Sequence, residues 1–433
     1  MHKPAKDQTR DNRIMKVNSN EMLPEGYKMT ELGALPEEWE LVRLGKATKT
    51  IKGRKPNYLS QSLQEKSIPY LTAEYFRTGI PSRFVLKEGN DFIEVGKDEI
   101  VFIWDGSNAG DVFIGLDGAL ASTMIKIIPD NFIYPKFLYY FLKTTYDFLN
   151  AKTTGSTIPH INKNLFNNLS FPLPPLPEQQ KIAAVLSAVQ EAKEKTQAVI
   201  DATKALKKSM MKHLFTYGPV PPEETENVPL KETEIGKVPV EWEVVKLGEI
   251  AENRKETVDP NKEDIIYVGL EHINSGDSKL TRYGNSREIK SSKSRFYKDD
   301  ILYAKLRPYL DKGILAEFEG ICSTDILVIK PNKELINPQF LTDLLHMPNF
   351  LDFATKSMTG VNHPRTSWSI LKTFKIPLLP LPVQQKIASI LSAIDAKIEA
   401  EENKKQALEE LFKTLLDNLM TAKIRVNTLD VPI

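Results

Sequence analysis

Two kinds of apolar pattern alternate along this chain, and each occurs twice. From Trp39 to about Phe171, short runs rich in β-branched and aromatic residues are broken by turn residues such as Asp-Gly and Gly-Asn. Glu99–Trp104, Asp111–Gly115 and Thr123–Ile128 read as strands, and Pro135–Leu142 as a short helix. The same order returns downstream, with strands at Asp300–Ala304, Ile314–Phe318 and Thr324–Ile329 and a helix at Pro338–Leu345. Each module is therefore α+β.

After each module comes a Pro-rich stop and then a long stretch whose interior holds neither Pro nor Gly. These stretches predict long spacer helices over 177–216 and 382–424. The first places Ile182, Val185, Val189, Ala192, Thr196, Val199, Thr203, Leu206 and Met210 at alternating three- and four-residue steps. The second places Ile387, Leu391, Ile394, Ile398, Leu408, Phe412, Leu415 and Leu419 on one stripe, interrupted by Glu401 and Lys405. That is heptad spacing. At about 1.5 Å per residue each rod is some 55–60 Å long, and a lone rod with one apolar stripe is unstable in water. The expected partner is the other helix, in antiparallel pairing; the alternative is that each helix packs on its own module.

The repetition extends to the residues themselves. Leu32-Gly33-Ala34-Leu35-Pro36-Glu37-Glu38-Trp39 returns as Ile235-Gly236-Lys237-Val238-Pro239-Val240-Glu241-Trp242, and Pro174-Pro175-Leu176-Pro177-Glu178-Gln179-Gln180-Lys181-Ile182-Ala183 as Leu379-Pro380-Leu381-Pro382-Val383-Gln384-Gln385-Lys386-Ile387-Ala388. A spacing of about 200 residues is too long for a solenoid repeat and fits a duplicated module. The expected division is an N-terminal arm (1–30), a first module (31–176), the first spacer helix (177–216), a linker (217–237), a second module (238–381), the second spacer helix (382–424) and a tail (425–433).

Composition narrows the classes. Hydrophobic residues are 41% and charged residues 27% of 433, ordinary for a globular protein. Cys322 is the only cysteine, which excludes an intrachain disulfide and a cysteine-based zinc site. The polar N-terminus lacks a signal-peptide core, and no apolar run approaches the ~18 residues of a membrane span. These features predict a cytoplasmic protein. The net charge of +1 is not the footprint of a strongly basic nucleic-acid binder, although basic loops can coexist with acidic helices.

A module opening with Pro-x-x-Trp-x-x-x-x-Leu-Gly and closing with Pro-Leu-Pro-x-Gln-Gln-Lys-Ile-Ala before a long helix, twice in one chain, resembles the DNA-specificity subunit of type I restriction–modification systems. The resemblance covers about Leu32 to Lys423. It implies two target recognition domains that each read half of an interrupted DNA site, and two antiparallel coiled-coil helices, related by a pseudo-twofold, that space them and dock two methyltransferase subunits. Restriction subunits with a helicase–nuclease motor would join. Catalysis, S-adenosylmethionine and ATP with Mg would belong to those partners, leaving this chain without a cofactor or metal. In agreement, the sequence has no phosphate loop, no Gly-x-Gly-x-x-Gly and no His-Glu-x-x-His. Phe113–Gly118 reads as a turn between strands, and Glu191-Ala192-Lys193 as solvent-facing helix.

Four places in each module offer groups suited to bases or phosphates where turns are expected. The first is Lys52, Arg54 and Lys55, matched by Arg254 and Lys255: phosphate contacts or a solvated turn. The second is Thr72, Glu74 and Arg77, matched by Glu271 and His272; the glutamates align, either accepting from cytosine or stabilising a turn. The third, Trp104, Ser107 and Asn108 against Lys305, Arg307 and Tyr309, diverges sharply between copies, as reading loops for unlike half-sites should. The fourth is Thr154, Gly155, Ser156, Thr157 and His160, against Thr359, Gly360, Asn362 and Arg365: exposed amides for a groove edge, or a plain turn. Ile182, Val185, Val189, Val199, Leu206, Ile387, Leu391, Ile394, Ile398, Leu408, Phe412 and Leu415 are the expected helix–helix interface. The reading is a DNA-specificity subunit gripping two half-sites about one turn, ~34 Å, apart, with the helices as ruler. The rivals are a self-contained DNA-modifying enzyme and a coiled-coil scaffold for proteins.

Overall fold

A computed structural model describes residues 23–155, 157–259, 264–289 and 291–426. The chain divides into two compact units, one of residues 1–195 and 404–433, the other of residues 196–403. The long helices run over Leu176–Tyr217 and Leu381–Met420. Each unit therefore holds the start of one long helix and the end of the other, rather than a module followed by a separate spacer.

In the first unit, Thr48–Lys52, Met124–Pro129, Ile100–Ile103 and Val112–Ile114 form an antiparallel sheet in that order. The strand Ile100–Ile103 is buried at every position. Ile100 and Phe102 face a core containing Phe137, Phe141 and Phe166, whereas Val101 and Ile103 face Leu71, Leu120 and Met124. Burial on both faces is why the strand reads as an unbroken apolar run. The second group comes from a further sheet, ordered Phe84–Leu86, Ser67–Leu71, Gly118–Leu120 and Glu94–Val95, whose middle pair is parallel. Within Phe113–Gly118, residues Gly115–Asp117 form the turn between the strands Val112–Ile114 and Gly118–Leu120, in line with the expected turn between strands.

The second unit repeats the plan. Ala251–Asn253, Ile326–Pro331, Ile301–Ala304 and Gly313–Leu315 form the first sheet, and Ile266–Val268 pairs parallel with Gly320–Cys322 at the heart of the second. Cys322 is buried there, and burial pushes its thiol up to about 12.

The repeated Gln-Gln motif acquires a physical reason. Gln179 and Gln384 are buried at the starts of the long helices. Gln179 accepts from Tyr134 N (2.7 Å) and donates to the carbonyls of Phe132 and Pro174 (3.0 and 2.9 Å). Gln384 accepts from Asn337 N (2.7 Å) and donates to Leu335 and Leu379 (3.0 and 2.7 Å). One amide thus clamps three otherwise orphaned backbone groups where the module meets its helix.

Helix pairing is antiparallel within each unit. In the first, Ile182 shares a core with Leu419 and Met420, while Lys193 Nζ lies 5.3 Å from the Phe412 ring centroid and 3.9 Å from Glu409. In the second, Lys204 pairs with Glu402 and Lys207 with Asp395, each at 2.6 Å. Moving forward on one helix means moving back on the other. The helices also pack on the modules, so both expected arrangements hold together.

The seam of the second helix follows the expected stripe through Ile387, Leu391, Ile394, Ile398, Leu408, Phe412 and Leu415, and Glu401 stays on it, buried. The first helix needs a correction. Its inward positions are Ile182, Leu186, Val189, Lys193, Thr196, Ile200, Thr203, Lys207 and Met210. Val185 sits at the core margin, and Val199 and Leu206 are 41% and 52% exposed. Lys193 and Lys207 displace the apolar phase by one residue, because their alkyl stems lie along the seam while the amines reach the Phe412 ring and Asp395. Lys193 is therefore not the solvent-facing residue expected of it.

The connecting segments also differ from expectation. Tyr27–Thr30, placed in the arm, pairs with Gly33–Pro36, and Leu230–Thr233, placed in the linker, pairs with Gly236–Pro239. Arg425, placed in the tail, donates to Glu178 and Glu38 and lies over the Trp39 ring. No helix among the described residues is long and apolar enough to cross a membrane.

Candidate nucleic-acid interface

The third and fourth places are laced together in both modules by matching backbone bonds. In the first, Gly106 N donates to Pro159 O (2.7 Å), Ile161 N to Trp104 O (3.0 Å), and Thr154 and His160 exchange bonds of 2.9 and 2.8 Å. In the second, Arg307 N donates to Pro364 O (2.9 Å), Thr366 N to Lys305 O (3.0 Å), and Thr359 and Arg365 exchange bonds of 3.0 Å. Thr154, Gly155 and Thr157 are exposed, as are Thr359, Gly360 and Asn362. Ser156 lies outside the described residues.

The reading loop itself has one backbone shape written in two ways. Gly106 and Gly110 have φ of 113° and 104°; at the matching places Arg307 and Asp311 have φ of 51° and 49°. Glycine adopts this region freely, whereas each L-residue there costs about 1–2 kcal/mol. Arg307 is exposed and makes no side-chain hydrogen bond or ion pair among the described residues, so a guanidinium is held outward on a strained backbone. Tyr309 is exposed beside it. In the first module Asn150 supports the loop from beneath, donating to the carbonyls of Ser107 (3.1 Å) and Ala109 (2.8 Å), with Ser107 exposed and Asn108 half-buried.

Several expected contact residues are engaged inside their own module. Trp104 packs against Phe102 and Phe166, with centroids 6.3 and 5.3 Å away, so much of its ring is core. Arg254 makes two bonds of 2.9 and 3.1 Å to the buried Asp300 and stacks over Tyr297; it is neither a solvated turn nor a free phosphate ligand. Arg365 forks onto Asp325 at 2.8 and 3.2 Å, and those hydrogen bonds hold the Asp325 carboxyl below its ordinary range. Arg54 pairs with Asp91. His160 Nδ1 turns back to the carbonyl of Ile158 (3.0 Å). Thr72 caps its helix by accepting from Tyr75 N, and His272 Nδ1 accepts from Gly269 N (2.9 Å), the turn-stabilising alternative in both cases.

The aligned glutamates do reach matching places. Each parallel central strand, Ser67–Leu71 or Ile266–Val268, runs straight into a helical turn that carries Glu74 or Glu271 exposed. The Glu271 carboxylate folds over Gly269, where an added Cβ would stand 2.2 Å from it. In the first module all four places join: Lys52 pairs with Asp105 and Arg77 with Asp111, at 2.7 and 2.8 Å. In the second, Lys312 ties the loop to Leu270 O (2.7 Å), while Arg254 is bonded to Asp300 instead of to the loop. Among the nominated cations, Lys55, Lys255, Lys305 and Arg307 make no ion pair with the described residues. Sequence reasoning missed Asp311 and the buried His346 that holds it; a single histidine just past the end of an apolar helix gave no pattern to read.

The profile of the type I restriction modification DNA specificity domain matches residues 36–202 and 239–410. The MjaVIII specificity subunit of Methanocaldococcus jannaschii is 34% identical over 428 residues, spanning 94% of this chain and 97% of that protein. The EcoDI specificity subunit of Escherichia coli is 25% identical over 82% of this chain and 81% of its own length. The fold is shared with the S subunit of a type I system from M. genitalium, at 18% identity, TM-score 0.57, and coverage of 88% of this chain and 96% of that one. A second solved type I structure gives TM-score 0.51 at 17% identity, covering 90% of this chain and 99% of that one. With two matched domains spanning most of its length, the chain belongs to the type I restriction–modification DNA specificity family.

Proposed function

We propose that this chain reads a bipartite, asymmetric DNA duplex, one half-site per module, and docks methyltransferase and restriction subunits without performing chemistry itself. The observation that carries the reading is the laced pair of loops. Their backbone bonds are the same in both modules, whereas the side chains they present, Trp-Asp-Gly-Ser-Asn and Lys-Leu-Arg-Pro-Tyr, are unlike. A fixed frame with exchangeable side chains is what two readers of different base sequences require. Methylation of an adenine needs the base extruded, which falls to the partners, as does S-adenosylmethionine and the ATP and Mg of a motor. A cytoplasmic location follows from those partners.

The test is selection from a random duplex pool with the full chain, with and without co-expressed methyltransferase. An interrupted, non-palindromic motif is expected. A palindromic motif would count against the loop assignment, and failure to enrich any duplex would favour a protein scaffold. Cofactor binding or cleavage by the isolated chain would favour the enzyme.

A further inference from the structure

We propose that His346 is a positioning residue for the second module: by donating from both ring nitrogens to Asp311 and Gly313, it locks the loop that presents Arg307. The proposal rests on the DNA-reading role above and says how one of the two readers is held.

His346 follows the helix Pro338–Leu345 with its side chain buried. Its Nδ1 lies 2.8 Å from Asp311 Oδ1 and its Nε2 2.8 Å from the Gly313 carbonyl. A carboxylate and a carbonyl can only accept. A neutral imidazole has one N–H, so satisfying both sides takes the imidazolium. The loop needs such a hold, because Arg307 and Asp311 both occupy the left-handed region. Asp311 is anchored twice, its carboxylate on His346 and its carbonyl on Gly276 N (2.7 Å). The first module does without this device: Gly110 stands in place of Asp311, and Lys143, equally far along its helix, in place of His346.

The charges facing His346 come from every element around it. Asp311 contacts it, Asp343 lies one turn back on its own helix, and Lys207 of the first long helix is held by Asp395 of the second. Tyr303, on the adjoining strand, is uncharged, its hydroxyl pushed up by burial. Burial of the ring, the largest single influence, opposes the cation. The hydrogen bond and charge of Asp311, helped by Asp343, outweigh burial and Lys207 and leave the pKa above the ordinary histidine value. The lock is therefore closed at low pH and opens as pH rises through that raised value.

The experiment measures the affinity of the full chain for its selected duplex and for versions scrambled in one half-site, from about pH 5.5 to 8.5. The half-site read by the second module is the one whose discrimination falls with Arg307→Ala. Discrimination there should decline with rising pH while the other half-site stays flat. His346→Gln should lower it about tenfold at low pH, comparable to one lost base contact, and abolish the pH step. Asp343→Asn should keep the step but move it to lower pH, because the Asp343 charge helps raise the His346 pKa, and that separates the two buried titrating groups. Adding Asp311→Gly to His346→Gln should recover much of the loss, because glycine needs no external hold. A folded His346→Gln protein with unchanged discrimination and the same pH step would overturn the proposal. If that variant does not fold, persistence of the step in Asp311→Asn would do so. A pool yielding no duplex would remove the DNA-reading role itself, a different failure.

Discussion

Gln384 offers the sharpest test of how module and helix are joined. It is wholly buried, accepts one backbone N–H and donates to two carbonyls. Gln384→Leu conserves volume closely enough to fill the site but removes all three partners. Each orphaned buried group costs about 1–3 kcal/mol, so even near the lower limit the loss is roughly 3–5 kcal/mol. Gln384→Glu keeps the shape and separates hydrogen bonding from packing. A carboxylate can accept from Asn337 but faces two carbonyls it cannot donate to. Its folded-state pKa should therefore lie above the unfolded value of about 4.3. Stability of that variant should be greatest below that value and fall as pH rises toward the raised one. Urea unfolding of the full chain, read by circular dichroism near pH 5 and pH 8, measures both. Gln385, next on the helix and exposed, is the control, where Gln385→Leu should shift stability by no more than about 0.5 kcal/mol. Equal effects at 384 and 385, or a Gln384→Glu protein indifferent to pH, would refute the clamp.

The helix phase is tested by neighbours: Ile200→Ala should cost about 2–5 kcal/mol and Val199→Ala near zero, read as thermal unfolding midpoints, and the reverse ranking would restore the phase expected from apolar residues alone. Asp343 has its carboxyl pushed up to about 7 by burial, and its Oδ2 has no hydrogen-bond partner among the described residues. The native state thus keeps a proton that the unfolded chain releases near its ordinary value of about 3.9, so stability should fall as pH rises between those values and level off above. Asp343→Asn should flatten that slope, and an unchanged slope in denaturation measured across about pH 4 to 8 would reject the assignment.

Much of this architecture was legible because it is periodic or repeated. Continuous apolar runs such as Ile100–Ile103 announced strands covered on both faces, and the doubled Gln-Gln motif marked the two helix starts, although not what the first glutamine does there. The phase of the first long helix was hidden for a physical reason. Hydrophobicity scores a lysine as polar throughout, yet Lys193 and Lys207 lay their methylenes along the seam and place only the amine on a ring face or a carboxylate. The reading loops were hidden differently. Their divergence between copies was visible, but Gly106 and Gly110 on one side and Arg307 and Asp311 on the other give no hint of sharing a backbone shape.

The least legible property was which cations are available, and it bears directly on how DNA is held. Net charge is only +1, yet lysines and arginines stand at several of the expected turns. Lys52, Arg54, Arg77, Arg254 and Arg365 each meet a carboxylate of their own module. These pairs shape the loops, and a phosphate would have to displace an acid to use them. Lys55, Lys255, Lys305 and Arg307 are the nominated cations left without an ion pair among the described residues. If only these release counterions, about four phosphate contacts give a plot of log affinity against log salt with a slope of about −3.6 for the chain alone. A methyltransferase bound to the helices would add its own contacts and steepen that slope. Fluorescence anisotropy on the selected duplex across a salt series tests both statements. A slope for the isolated chain as steep as about −8 would mean that the internal pairs open on DNA, and the loops would then have to be understood as rearranging on binding rather than as preformed.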